Sequence, residues 1–145
     1  MERKDSNQGA RGLPLLTRGA RGRKVLLVSE DPEALHYYFT LLQSWGYRVR
    51  ACRCYEEGVG RLASEVFDLV VVSQGSRSFE GKCVLERALQ VNRRSPVLVL
   101  ARRPDMPCYL EAMQLGAADY LVEPFTFSQV EQVLKQHHSA GSTPS

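Results

Sequence analysis

Three runs of β-branched and aliphatic residues constrain this chain more than any other feature: Lys24-Val25-Leu26-Leu27-Val28, Asp68-Leu69-Val70-Val71-Val72 and Val97-Leu98-Val99-Leu100. They lack the polar alternation of a strand with one wet face, so each reads as a strand buried on both faces of a parallel sheet. In such sheets ligands bind beyond the carboxyl ends of the strands. The residues just past each run therefore decide function. Ser29-Glu30-Asp31 succeeds the first, Ser73 the second, and Ala101 closes the third.

Helical periodicity fills the intervals. Asp31 is placed to cap a first helix with Pro32 in its first turn, and Leu35, Tyr38, Phe39 and Leu42 then share one face. Gly46 stops that helix, and Tyr47, Val49 and Ala51 alternate along a second strand. Val59, Leu62, Ala63 and Val66 mark a second helix, Val84, Leu85, Ala88 and Leu89 a third. Leu110, Met113 and Leu115 mark a fourth, ended by Gly116. Phe127, Val130, Val133 and Leu134 mark a fifth, capped by Thr126 or Ser128. Alternating strands and helices predict a doubly wound α/β fold in a single domain.

At 145 residues the chain can bury one core. No stretch approaches the roughly 20 apolar residues of a membrane helix, and Leu13-Pro14-Leu15-Leu16 is too short for a signal-peptide core, so a cytoplasmic protein is expected. Residues 1–24 hold seven basic and two acidic side chains, whereas the remainder carries a net of two negative charges. The Arg-Gly pairs Arg11-Gly12, Arg18-Gly19 and Arg21-Gly22 have the composition of a segment that cannot bury enough apolar surface to fold. We divide the chain into a basic disordered tail over 1–22, a folded domain over 23–138 and a flexible tail over 139–145. Nucleic acid is expected as a partner only through the basic tail, if at all. Cys52, Cys54, Cys83 and Cys108 lack paired metal spacing and read as ordinary thiols.

Val25 to Pro32 (VLLVSEDP), Trp45-Gly46-Tyr47, Phe67 to Ser73 (FDLVVVS), Pro96 to Ala101 (PVLVLA) and Leu115 to Phe125 (LGAADYLVEPF) together resemble the receiver domain of bacterial response regulators. The last stretch is the most specific. The resemblance covers roughly residues 24–138 and implies a flavodoxin-like (βα)5 sheet in strand order 2-1-3-4-5, the order for which a receiver is a standard example. It also implies phosphoryl transfer to an aspartate, assisted by Mg²⁺ and a lysine.

The residues at those positions depart from the pattern. Ser73 falls where the resemblance puts the attacking aspartate, and a serine hydroxyl is a poor nucleophile without a base beside it. The Mg²⁺-binding acids fall on Ser29 and Glu30, with Asp31 next in the chain. A site rebuilt from Glu30, Ser73 and a Gly75 carbonyl would hold Mg²⁺ weakly, so no cofactor is expected. The hydroxyl that senses phosphate becomes Ala101, and the family's lysine becomes Glu123, which repels a phosphoryl group. Tyr120 falls at the aromatic switch position, and Pro124-Phe125 at the turn into the last helix, where the family commonly has a cis peptide. Ala101 leaves room for Tyr120 to rest inward without a signal.

These departures imply a degenerate, atypical pseudo-receiver: a stand-alone, non-enzymatic module of two-component or phosphorelay signalling that works by phosphorylation-independent protein contact. Its partner would be a histidine kinase, another response regulator or an effector. Two alternatives are a receiver that joins a phosphorelay through a competent partner or modification of Ser73, and a small-ligand binder on the same scaffold. A homodimer through helix 4, strand 5 and helix 5 is a further expectation, with Arg102, Arg103, Glu111, Glu131 and Lys135 on that face. Finally, the carboxylates at the strand ends require a cation, and we expect an ion pair between Glu123 or Glu30 and Arg102 or Arg77.

Overall fold

The computed structural model describes residues 22–142, with side chains through residue 136. The expected basic tail lies outside the described residues apart from Gly22, as do residues 143–145. Five strands and five helices alternate: β1 (Lys24–Val28), α1 (Pro32–Ser44), β2 (Arg48–Cys52), α2 (Tyr55–Ser64), β3 (Leu69–Ser73), α3 (Lys82–Val91), β4 (Val97–Ala101), α4 (Met106–Leu115), β5 (Asp119–Val122) and α5 (Phe127–Ser142). All neighbouring strands are parallel, in the order β2-β1-β3-β4-β5. This is the expected doubly wound fold.

Side chains alternate across each strand, so the sheet divides the interior into two cores. Leu26, Val28, Val70, Val72, Val97, Val99 and Ala101 face the layer built from α2, α3 and α4. Val25, Leu27, Leu69, Val71, Leu98 and Leu100 face α1 and α5. Burying each Val or Leu of this kind contributes roughly 1.5–3 kcal/mol, which explains why no polar residue stands within Val25 to Val28, Leu69 to Val72 or Val97 to Leu100. The edge strand β2 is different: Arg48 and Arg50 are more exposed than the Val49 and Ala51 between them. Charges on an edge discourage pairing with another chain.

Helix boundaries obey local chemistry. Asp31 caps α1, its carboxylate accepting from Glu33 N at 3.0 Å with Pro32 in the first turn. Cys54 caps α2 through its thiol, at 3.4 Å from Glu57 N. The second helix consequently starts earlier than its apolar stripe implied and ends at Ser64, leaving Val66 outside it and 72% exposed. Gly116 ends α4 in the left-handed region. The buried face of α4 is Cys108 and Ala112, whereas Leu110 is 49% exposed. Thr126 Oγ1 accepts from Gln129 N at 3.2 Å at the start of α5, which runs to Ser142 past the boundary expected at His138. No proline interrupts the run before Pro144.

At the amino ends of the strands, Asp68 and Lys24 exchange hydrogen bonds at 2.8 Å. Glu65 there gathers Lys24, Arg50 and Arg61 at 3.2–3.3 Å. Among the described residues no helix is long and apolar enough to cross a membrane.

Gly81, at the N-terminus of α3, lies against the end of β3. A Cβ there would stand 2.1 Å from the Ser73 carbonyl oxygen, whereas one at Gly60, on the exposed side of α2, would meet nothing within 4 Å. Gly81→Ala should therefore cost roughly 1–3 kcal/mol, and Gly60→Ala should stabilise by about 0.5–1 kcal/mol. Urea unfolding of the two variants beside the unmodified protein checks the pair; equal midpoints would contradict the close packing of α3 on β3.

Candidate functional site

The carboxyl ends of β1, β3, β4 and β5 converge on one rim of the sheet. Ser29, directly after β1, is buried. Its N–H donates to the Cys52 carbonyl at 3.2 Å, and its Oγ accepts from Asp31 N at 3.2 Å. Glu30 is exposed. Asp31 works twice: one carboxylate oxygen caps α1 and the other takes the guanidinium of Arg102 from the loop after β4. Desolvation pushes this carboxyl upward, but Arg102 and the amides of Glu33 and Ala34 outweigh it and leave its pKa lowered.

Ser73 closes β3, and its Oγ shares a 2.8 Å hydrogen bond with the Tyr55 hydroxyl at the start of α2. Burial raises the Tyr55 pKa despite that bond, so the phenol is neutral and no base for Ser73. Of the histidines, His36 is exposed on α1, and His137 and His138 lie beyond the described side chains. Ala101, the last residue of β4, is buried and presents a methyl group.

The residue after Ser73 carries no motif of its own, and it organises the rim. Gln74 is a polar side chain only 5% exposed. Its Nε2 donates to the Ser76 carbonyl at 3.1 Å and to Asp105 Oδ2 at 3.2 Å, while its Oε1 accepts from the Tyr120 hydroxyl. Tyr120 is 8% exposed, turned inward, and packs edge-on against Tyr109 with ring centroids 5.6 Å apart. Burial, with Asp105 and Cys108 nearby, pushes its pKa up to about 12. The one available sequence signal for Gln74 is its place at the end of a run buried on both faces, where an uncharged side chain can be buried once bonded and a charged one costs far more.

The charge pairing differs from expectation in its acid. Arg102 is engaged, but by Asp31 and not by Glu123 or Glu30. Glu123 lies after β5, its N–H bonded to the Ala101 carbonyl at 2.8 Å, and its carboxylate faces the Tyr38 phenol. Burial first, then Glu123, raises the Tyr38 pKa. A buried phenol O–H can donate to a carboxylate without bringing a second charge, which is why no arginine is needed there. Arg77 lies near Asp105 and lowers its pKa only as the weakest of several influences. The Glu123–Pro124 peptide is cis, and Phe125 is buried, stacked on Tyr38 at 4.6 Å. Arg103 and Pro124 are exposed. Arg102, Arg103, Glu123, Tyr37, Tyr38 and Asp31 line an open cleft between the α1 N-terminus and the loops after β4 and β5.

Donors for a hard divalent cation are already engaged: Ser29 Oγ by an amide, Asp31 by a cap and a guanidinium, Ser73 by Tyr55. Glu30 is the carboxylate left over. Among the described residues no three His, Cys, Asp or Glu side chains form a group able to hold a metal.

A family model described as the response regulator receiver domain matches residues 25–135. The chain belongs to the response regulator receiver family. Its similarity to the transcriptional regulatory protein ZraR of Salmonella typhimurium is 26% identity over 112 residues, covering 77% of this chain and 25% of that protein. The two-component response regulator PhoP of Pseudomonas aeruginosa is 29% identical over 108 residues, covering 74% of this chain and 48% of that one. This receiver thus spans a quarter to a half of the length of these relatives. Among solved structures, a CheY-like receiver domain protein from Methanospirillum hungatei JF-1 superposes with a TM-score of 0.75 at 19% identity, covering 83% of this chain and 99% of that one. Receivers of this family are modules of two-component signalling, and the sheet order described above is theirs.

Two carboxylates of the receiver's rim loops tie pH to stability. The Cys108 amide foremost holds the Asp105 carboxyl below its ordinary 3.8, and Ser76 holds that of Glu80 below 4.5. A lowered folded pKa stabilises the fold above the ordinary value, and that contribution is lost as pH falls through the depressed one. Urea midpoints measured from about pH 6 down to about pH 3 should therefore fall, and Asp105→Asn, which keeps the cap but loses the charge, should fall less steeply. An identical slope in the variant would contradict the assignment.

Proposed function

We propose that this receiver signals by phosphorylation-independent protein contact and that its phosphoacceptor site is degenerate. The observation that carries this reading is Ser73: the side chain at the end of β3 is a hydroxyl tied to a neutral phenol, not a carboxylate open to a phosphodonor. Acyl-phosphate formation needs a carboxylate nucleophile and a cation to neutralise the transferring group. The side chains at this rim offer Ser73, the methyl of Ala101 and the carboxylate of Glu123, and Arg102 is spent on Asp31. They do not fit Mg²⁺ in octahedral oxygen coordination, so no step is assigned to a metal and the module is not an enzyme.

A protein partner fits the surface. Met106, Tyr109, Leu110 and Val122 are exposed large apolar side chains on α4 and β5, next to the exposed Arg102 and Arg103. That face suits a kinase, another response regulator, an effector or a second copy of this chain in the cytoplasm. Two of the charges expected to lie on it also bond within the fold: Glu111 pairs with Lys82 at 2.5 Å, and Glu131 accepts from the Tyr47 hydroxyl at 2.5 Å.

Incubation with acetyl phosphate and Mg²⁺ and then intact-mass measurement should show no added phosphoryl group. A gain localised to Ser73 would overturn the reading. Ser73→Asp combined with Ala101→Thr and Glu123→Lys should restore measurable uptake, since the strands that carry these positions are intact. A folded triple variant that stays unlabelled would place the divergence in the loops as well as the side chains.

A further inference from the structure

Gln74 joins three elements that a receiver must coordinate: β3, from whose end it projects, β5 through Tyr120, and the start of α4 through Asp105. The orientation of its amide is fixed by its neighbours. The Ser76 carbonyl and the Asp105 carboxylate are pure acceptors, so Nε2 must face them, which leaves Oε1 to face the Tyr120 hydroxyl, a group able to donate. All three amide bonds are satisfied within a side chain that is almost wholly buried. The Gln74 backbone is equally fixed, its N–H donating to the Leu100 carbonyl at 2.7 Å. Asp105 in turn receives the Cys108 amide at 3.2 Å as the cap of α4.

Ala101 lies in the same apolar cluster as Tyr120 and has no hydroxyl with which to recruit the ring. The ring is inward all the same, held by its own O–H. We propose that Gln74 is a built-in latch that holds Tyr120 inward and fixes the N-terminus of α4, the task a phosphoryl group would otherwise trigger. This goes beyond the absence of phosphorylation: it names the side chain that sets the resting state. Only the comparison with a phosphoryl trigger rests on the function proposed above; the hydrogen-bond geometry does not.

The latch is testable by fluorine NMR on protein labelled with 3-fluorotyrosine, in which the resonance missing from Tyr120→Phe identifies Tyr120. In the unmodified protein without phosphodonor this resonance should be insensitive to exchange of H₂O for D₂O. In Gln74→Met, which keeps the length of the side chain but neither donates nor accepts as an amide does, it should move toward the free amino-acid position and become solvent-sensitive. Amide exchange over Met106–Leu115 should quicken about tenfold in Gln74→Met and in Tyr120→Phe, the loss expected for one buried hydrogen bond, while β1 and β3 keep their protection. A solvent-exposed Tyr120 in the unmodified protein, a shielded one in folded Gln74→Met, or unchanged α4 exchange in Tyr120→Phe would each overturn the proposal. Tyr120→Phe keeps the ring, so it serves even where Gln74→Met does not fold. The function and the latch fail separately: a phosphoryl gain on the unmodified protein with Tyr120 already shielded beforehand would sink the first and leave the second standing.

Discussion

Burial of β1, β3 and β4 on both faces is the constraint on which the rest of this receiver depends. A strand with no wet face can carry polar chemistry only where it stops, so the polar groups of the candidate site collect at the four strand ends. The same constraint makes the ends exacting. Ser29 and Gln74 emerge from the sheet while still buried, and each must find its hydrogen bonds inside the protein. Ser29 does so with its own turn and the end of β2, and Gln74 with its own loop, β5 and the cap of α4.

Electrostatics at the rim then sorts itself by what each carboxylate can reach. Asp31 sits at a helix N-terminus, where amides and the helix dipole favour negative charge, and still draws Arg102 across from the loop after β4. Glu123 has a phenol instead. The rim is thus closed largely by contacts within the chain, and this internal closure, more than any single side chain, supports the phosphorylation-independent reading proposed above.

The fold was largely legible because its signals are local and redundant. Apolar runs, the Asp31 cap and Gly116 each state an element by themselves, and the resemblance supplied the strand order that periodicity alone does not. The misreadings have one physical origin: they depended on which neighbour a side chain meets in space. Leu110 looked like core because it is apolar, yet the smaller Cys108 and Ala112 are the residues that let α4 approach the sheet. Val66 continued a stripe that the Cys54 cap had already shifted. At the site, the positions of Ser73, Ala101 and Glu123 were readable from register with the family, whereas the Asp31–Arg102 pair, the Tyr38–Glu123 contact and the role of Gln74 bridge 31 to 85 positions along the chain and leave no mark in local pattern.

The inward Tyr120 carries a consequence for information flow. Under the latch proposed above, one buried hydrogen bond tilts a two-state equilibrium about tenfold, so Tyr120 starts biased toward its inward position before any signal arrives. A bias of that kind narrows the range over which conformation alone can carry a signal. The narrower that range, the more the output of such a module follows the number of copies present.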